Sequence, residues 1–309
     1  MKIALIGMGG VGGYFGGKLA RAYSSSKEHD IVFIARGNHL KKIKEDGLKV
    51  ITKDEGSWVV HPDMATDNPQ DAGQVDVIFF CIKGYDLENA ARSMMPAIHD
   101  QTVSISLLNG VDNIERLATV IDRGTILNGC VYISSHVVEP GTVRQVGGPC
   151  SLFFGPEQDP VDPFRGLEVI LKNANINAAL SDRIAVDVWS KYLFVGPLGG
   201  MTSMADEPLG AILENERHRA MLEGMMREVE ATARAYGISL PGAIVQQSLE
   251  VASKFPYETK TSIQLDFEKG TRTELETFVG YLVRSGRKVG VATPLHDRVY
   301  ETLKKKEGL

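Results

Sequence analysis

The chain has 309 residues, enough for two domains of ordinary size. Its formal net charge of -5 argues against nonspecific nucleic-acid binding. The three cysteines (Cys81, Cys130, Cys150) make no CxxC pair, and the scattered histidines make no HExxH or paired cluster. A disulfide framework and a metal centre are therefore not expected. The opening run MKIALIG is short and passes straight into glycines, unlike a signal peptide, and no stretch approaches a membrane span. The expected setting is cytoplasmic.

In chain order, β-rich runs fall at 2–6, 30–35, 76–81, 102–106, 126–133 and 151–154. Several are apolar throughout, as in Val77-Ile78-Phe79-Phe80-Cys81, which suits parallel strands buried on both faces. Helical stretches separate most of them, so the first half reads as a doubly wound α/β sheet of Rossmann type. The segment 134–148 carries Pro140-Gly141 and glycines at 147 and 148, and reads as a turn between short antiparallel strands. Beyond residue 180 the apolar period becomes helical. Leu222, Met225, Met226 and Val229 form one stripe, and Leu275, Phe278, Val279, Leu282 and Val283 another. Pro241, Pro256 and Pro294 punctuate separate helices. The division expected is a dinucleotide-binding domain at 1–180 and an all-helical domain at 181–309. The helical stripes have two possible destinations, the domain's own core or the interface of a homodimer.

The strongest single motif is Gly7-Met8-Gly9-Gly10-Val11-Gly12, a GxGxxG placed between a strand and a helix. The first glycine permits the tight turn, the second lets a pyrophosphate reach the backbone, and the third lets helix and strand pack closely. The helix N-terminus then offers free N–H groups to the phosphates. The second strand ends at Arg36, where NAD enzymes carry an acidic residue for the ribose hydroxyls. A guanidinium suits a 2′-phosphate instead, and Lys41 and Lys42 stand near enough to add positive potential. The cofactor expected is NADP(H).

These residues, with further motifs along the chain, resemble the ketopantoate reductase (2-dehydropantoate 2-reductase) family. The matching segments are Ala35-Arg36-Gly37, Cys81 through Asp86, Leu107 through Asn113, and Trp189-Ser190-Lys191. They continue with Ser262 through Gly270, Thr273 through Gly280, and Ala292-Thr293-Pro294. The resemblance implies reduction of a 2-oxo acid to a 2-hydroxy acid by NADPH, at an active site between a Rossmann domain and a helical domain. It implies that Lys191 is the general acid, and that Glu274 lies near the ligand. It implies that Asn109 contacts cofactor ribose and substrate, and that Ser262, Ile263, Gln264 and Leu265 include the segment holding the substrate carboxylate. Lys83, just past a strand, reads as a contact to cofactor phosphate or to the carbonyl.

Bland readings stand beside these. Most helix lysines are solvated, a glutamate opening a helix favours the dipole, and Asn-Gly is a common turn signal. Asp266, one turn after Ser262, serves equally well as a cap or salt-bridge partner.

The resemblance is incomplete. Counting on from Lys191, positions where the family usually has asparagine hold Val195 and Gly199, and Leu108 replaces a frequent glutamine. Pro197 in the same stretch predicts a kink or break, after which Thr202 or Ser203 could take over the lost hydrogen bonds. A more apolar pocket points to a 2-oxo acid with a less polar tail than ketopantoate. The other alternative is a noncatalytic NADP-binding regulator, in which Lys191→Ala changes nothing.

Overall fold

The computed structural model describes residues 1–26 and 28–308. They divide into two compact units, Met1–Leu108 with Asp112–Ile184, and Asn109–Val111 with Ala185–Leu309.

The first unit is built on strands β1 (Lys2–Ile6), β2 (Asp30–Ile34), β3 (Leu48–Thr52), β4 (Gly56–Val60) and β5 (Met64–Thr66). Strands β6 (Val77–Phe80), β7 (Val103–Ser106), β8 (Thr125–Glu139), β9 (Thr142–Gly155) and β10 (Asn177–Leu180) complete it. Its helices are α1 (Gly10–Tyr23), α2 (Gly37–Asp46), α3 (Leu87–Met94), α4 (Asn113–Ala118) and α5 (Arg165–Asn173). Six strands run parallel in the order β5-β2-β1-β6-β7-β8. This is the doubly wound order, in which the chain starts mid-sheet and winds out to each side. The reversal falls between β1 and β6, and ligands in such sheets bind beyond the carboxyl ends of the strands at that point.

The apolar runs have a simple cause. In β1, Ile3 and Leu5 enter the core on one face of the sheet, while Ala4 and Ile6 enter the core on the other. Val77 and Phe79 alternate with Ile78 and Phe80 in the same way. With both faces covered, every residue of a central strand is apolar.

The segment 134–148 belongs to one long β8–β9 hairpin turning at Pro140-Gly141, rather than to separate short strands. Through β9 the sheet gains members that the apolar runs do not reveal: β3 and β10 pair with it in parallel, and β4 pairs antiparallel with β3. The sheet is thus a ten-stranded mixed one among the described residues.

The second unit holds α6 (Ile184–Ala205), α7 (Leu209–Glu214), α8 (Glu216–Ala235), α9 (Ile244–Ala252), α10 (Ser262–Glu268), α11 (Tyr281–Val289) and α12 (Pro294–Lys306). A π-helical turn, Glu276–Gly280, leads directly into α11. Both apolar stripes are buried within this unit, which answers the question of where they go.

The break expected at Pro197 is absent, and α6 runs unbroken for 22 residues. Tertiary packing overrides the local signal. A Cβ at Gly196 would stand 3.0 Å from Phe278 O, and one at Gly200 would stand 3.2 Å from atoms of Met225, Val279 and Val299. The glycines around the proline are there for close helix contact. Among the described residues, no helix is long and apolar enough to cross a membrane.

One buried pair ties α8 to α12. Glu228 accepts from the backbone N–H of Leu295 (2.8 Å) and of His296 (3.0 Å), capping the start of α12 from a neighbouring helix. His296 Nδ1 lies 2.7 Å from the same carboxylate, and the ring is fully buried. Burial pushes the imidazole below the ordinary histidine value, against the opposing pull of Glu228. A depressed base resists a proton that the unfolded chain accepts. The stability it contributes is therefore complete above about pH 6.5 and is lost as the pH falls below that. Urea unfolding between pH 7 and 5 should steepen accordingly, and His296→Gln should remove up to ~1.4 kcal/mol per pH unit of the slope. An unchanged slope would refute this assignment.

Candidate active site

The glycine loop follows from three different local constraints. Gly7 has φ +93°, and its N–H donates to Ile34 O at 2.9 Å. A Cβ there would lie 2.5 Å from Ile82 Cγ2, and one at Gly12 would lie 2.0 Å from Gly7 O. Gly9 is different, since a Cβ there would meet nothing within 4 Å. The first and third glycines thus serve the protein's own packing, whereas the second faces open space. No side chain caps the first turn of α1, and no acidic residue lies in it. A loop with an open backbone approach and an uncapped helix start fits a pyrophosphate.

Arg36 is the N-cap residue of α2, with no acidic group in the turn that follows. Its side chain is 81% exposed, with Nη2 3.7 Å from Asp86 Oδ2, an ion pair loose enough to yield to a ligand phosphate. Lys41 and Lys42 add less positive potential than their charges suggest. Glu45 lies 3.9 Å from the first, and Glu45 and Asp46 lie 3.4 and 3.2 Å from the second. Lys83 is half-buried at the start of the short 3₁₀ turn Gly84–Asp86, just past β6.

In the second unit, Lys191 is buried at 8% exposure on α6, and its Nζ donates to Asn109 Oδ1 at 2.8 Å. Trp189 and Tyr192 on either side of it pack against each other at 6.0 Å and against Tyr281 at 6.2 and 6.1 Å, which fixes the helix rotation. Asn109 belongs by its contacts with this unit, although it follows β7 in sequence. Glu274 is 6% exposed, and its backbone oxygen accepts from Thr277 and Phe278 N, both at 3.0 Å, as the π-helical turn begins. Such turns recur at functional sites.

The segment Ser262–Leu265 splits by face. Ser262 and Leu265 are exposed, while Ile263 and Gln264 point into the core. Gln264 Nε2 donates to Glu207 O at 3.2 Å, and Thr261 caps α10 by accepting from Gln264 N. Ile263 and Gln264, at 0% and 1% exposure, fill the buried side that a two-faced helix must have. Asp266 is half-buried, and its backbone oxygen accepts from Thr271 N at 3.0 Å.

Thr202 and Ser203 do not replace the missing amides either. Both are 0% exposed, and Thr202 Oγ1 is already engaged by Leu198 O (2.9 Å) and Thr261 Oγ1 (2.8 Å). Since α6 is unbroken, no backbone shift brings them outward. A Cβ at Gly199 would stand 2.8 Å from Ile263 Cγ2 and 3.2 Å from Phe278 Cδ1, so the space beside Gly199 is filled with hydrocarbon. Val195, one turn past Lys191, is half-buried. The face of α6 beyond Lys191 is apolar in fact as well as in sequence.

A glycine loop of dinucleotide-binding form on a doubly wound sheet, with a buried lysine in a helical unit, fits an oxidoreductase that uses a nicotinamide cofactor. Residues 3–158 match the ketopantoate reductase PanE/ApbA family, and residues 183–307 match the C-terminal part of the same family. A 2-dehydropantoate 2-reductase of Halobacterium salinarum is 27% identical, covering 96% of this chain and 95% of that one. The crystal structure of 2-dehydropantoate 2-reductase from Porphyromonas gingivalis W83 is 31% identical with a TM-score of 0.85, covering 98% and 99%. A D-mandelate dehydrogenase solved with NADH and anilino(oxo)acetate shares the fold at 22% identity and TM-score 0.88, covering 100% and 99%. The chain belongs to the ketopantoate reductase family and is an oxidoreductase of that type, acting on a small molecule.

Proposed function

We propose that the protein reduces a 2-oxo acid to the 2-hydroxy acid with NADPH, and that ketopantoate, reduced to pantoate on the way to pantothenate and coenzyme A, is the first substrate to test. The observation that carries the reading is the buried Lys191 ammonium held by Asn109. Lysine is almost never buried without a partner or a task, and an ammonium kept from water both polarises a carbonyl and delivers a proton.

Residues 1–180 form the cofactor domain and 181–309 the catalytic one. Bound at the glycine loop, the dinucleotide supplies the hydride. Gly7 through Gly12 bind its pyrophosphate, and Arg36 takes the 2′-phosphate with a planar fork of donors. Lys83 contacts cofactor phosphate or the carbonyl, and Asn109 and Glu274 contact the ribose. Lys191 donates to the carbonyl oxygen and stabilises the charge developing there. Asn109 fixes the direction in which that ammonium points. Ser262, on the exposed face of α10, binds the substrate carboxylate. Cys81, Cys130 and Cys150, none of them in a disulfide, suit a reducing, cytoplasmic setting.

A second reading, a 2-oxo acid with a less polar tail, is favoured by Val195 and by the packing of Ile263 on Gly199. The test is steady-state oxidation of NADPH with ketopantoate and with 3,3-dimethyl-2-oxobutanoate, which differ by one hydroxyl. A site that binds that hydroxyl rejects the analogue by ~10⁴-fold in kcat/KM, whereas an apolar pocket separates the pair by ~10²-fold or less. No turnover of any 2-oxo acid, with NADPH still bound, would make the protein a regulator instead.

The cofactor choice has its own expected result. Arg36→Ser should weaken NADPH binding by ~10- to 150-fold, the loss of a charge-assisted hydrogen bond, and leave NADH nearly unaffected. Equal affinity of the wild type for the two would remove Arg36 from the site.

A further inference from the structure

Within the first unit, the glycine loop packs against the β8–β9 hairpin. At Gly10 it lies against β8, where a Cβ would stand 2.2 Å from Ser135 O. The same hairpin reaches His39, in the first turn of α2 and three residues after Arg36. Gly141 N, in the β8–β9 turn, donates to His39 Nδ1 at 3.0 Å. Nδ1 is the acceptor, so the neutral ring carries its proton on Nε2. Nε2 is buried with no closed hydrogen bond; burial opposes the ring's charged form, while the Met8 backbone, in the middle of the glycine loop, is near enough to favour it. The turn itself sits directly on α2, where a Cβ at Gly141 would be 2.9 Å from Lys42 Cβ. It is anchored on its far side by Lys49 N donating to Gly141 O at 2.8 Å. One imidazole therefore stands where the loop, the helix that starts at Arg36 and the hairpin turn converge.

We propose that His39 is a positioning residue for the cofactor, setting the spacing between the pyrophosphate cradle at Gly7–Gly12 and the 2′-phosphate reader at Arg36. The inference rests on the NADPH reading above. Pyrophosphate and 2′-phosphate are carried on the same adenosine ribose, so their separation is limited by covalent geometry. Protein groups that bind both are effective only when held at the matching distance. Side chains in the loop cannot supply this, since Gly7, Gly9, Gly10 and Gly12 have none, Met8 is buried in the core and Val11 carries no polar group. An imidazole with one nitrogen on the turn and the Met8 backbone near its ring can supply it.

The test uses the full-length protein and direct binding, read by NADPH and NADH fluorescence, together with the melting temperature. His39→Ala should weaken NADPH by on the order of tenfold and NADH by clearly less. The loss should shrink when Arg36→Ser is already present, because residues acting through one ligand contact are not additive. His39→Gln, whose amide oxygen can accept from Gly141 N, should recover most of the affinity. KM for NADPH should follow the dissociation constant, while KM for the 2-oxo acid stays in place. Equal weakening of both cofactors, additive with Arg36→Ser and accompanied by a lower melting temperature, would make His39 a fold residue and overturn the proposal. Unchanged NADPH affinity in His39→Ala would overturn it as well. A wild-type protein that binds no NADPH would instead overturn the cofactor reading on which the proposal rests, and the proposal with it.

Discussion

Lys191→Ala is expected to lower kcat for 2-oxo acid reduction by ~10²- to 10⁴-fold, the range for removing a positioned general acid. The cause lies in the environment of the ammonium. At 8% exposure, with Asn109 Oδ1 at 2.8 Å, it is held in one place and shielded from bulk water. Water that fills the space left by alanine is neither charged nor fixed, so it stabilises the developing oxyanion poorly. NADPH affinity should change little, because the groups assigned to its phosphates, the glycine loop and Arg36, are left intact. Stopped-flow single turnovers, with cofactor binding measured separately, check both halves. A kcat within tenfold of wild type would remove Lys191 from the chemistry. A loss of NADPH binding in step with kcat would mean that the substitution acts on the fold.

The second large effect separates two glycines of one motif. Gly9→Ala places a methyl group in space that the protein leaves empty. The melting temperature should barely move, since exchanging glycine for alanine at a helix N-cap costs about 1 kcal/mol or less. NADPH affinity should fall by ~100-fold or more, because the methyl stands where a pyrophosphate must approach the backbone. Gly12→Ala should do the reverse. Its Cβ would overlap Gly7 O at 2.0 Å, so α1 must lift from β1, at a cost of ~1–3 kcal/mol in stability. Calorimetry and a fluorescence titration on the two variants decide the matter. If Gly9→Ala binds NADPH like wild type, the loop is not the phosphate cradle.

The central strands were legible because burial on both faces leaves nothing but apolar residues in the sequence, as at Val77–Phe80. The outer strands were harder. β3 alternates Leu48, Val50 and Thr52 inward, then turns through Asp54-Glu55-Gly56 into β4. That is a hairpin signal, but it is short and polar, and β5 spans only three residues. Pro197 misled for a different reason. A local rule marks it as a breaker, whereas the contacts that keep α6 whole come from Phe278, Met225 and Val299, remote in sequence.

The candidate site was legible to the same degree. The glycine loop, Arg36 and Lys191 stand in short motifs. The packing of Ile263 into the notch at Gly199 joins positions far apart in the chain, and periodicity does not reveal such pairs. His39 lies in a plain stretch of α2, and its role emerges only once the β8–β9 turn is seen to reach it.

The π-helical turn at Glu276–Gly280 holds one residue more than an α-helical path between Glu274 and α11 would need. That surplus is a phase setting. Each residue of an α-helix advances the chain by about 100°. Deleting one residue here would let the backbone relax into ordinary helix and leave Leu282 and Val283 in the core. The same deletion would swing Glu274 about a quarter-turn around the axis. Among proteins of this build, a one-residue gap at this place should therefore mark a change in what the carboxylate faces, while the helix behind it carries on unaltered.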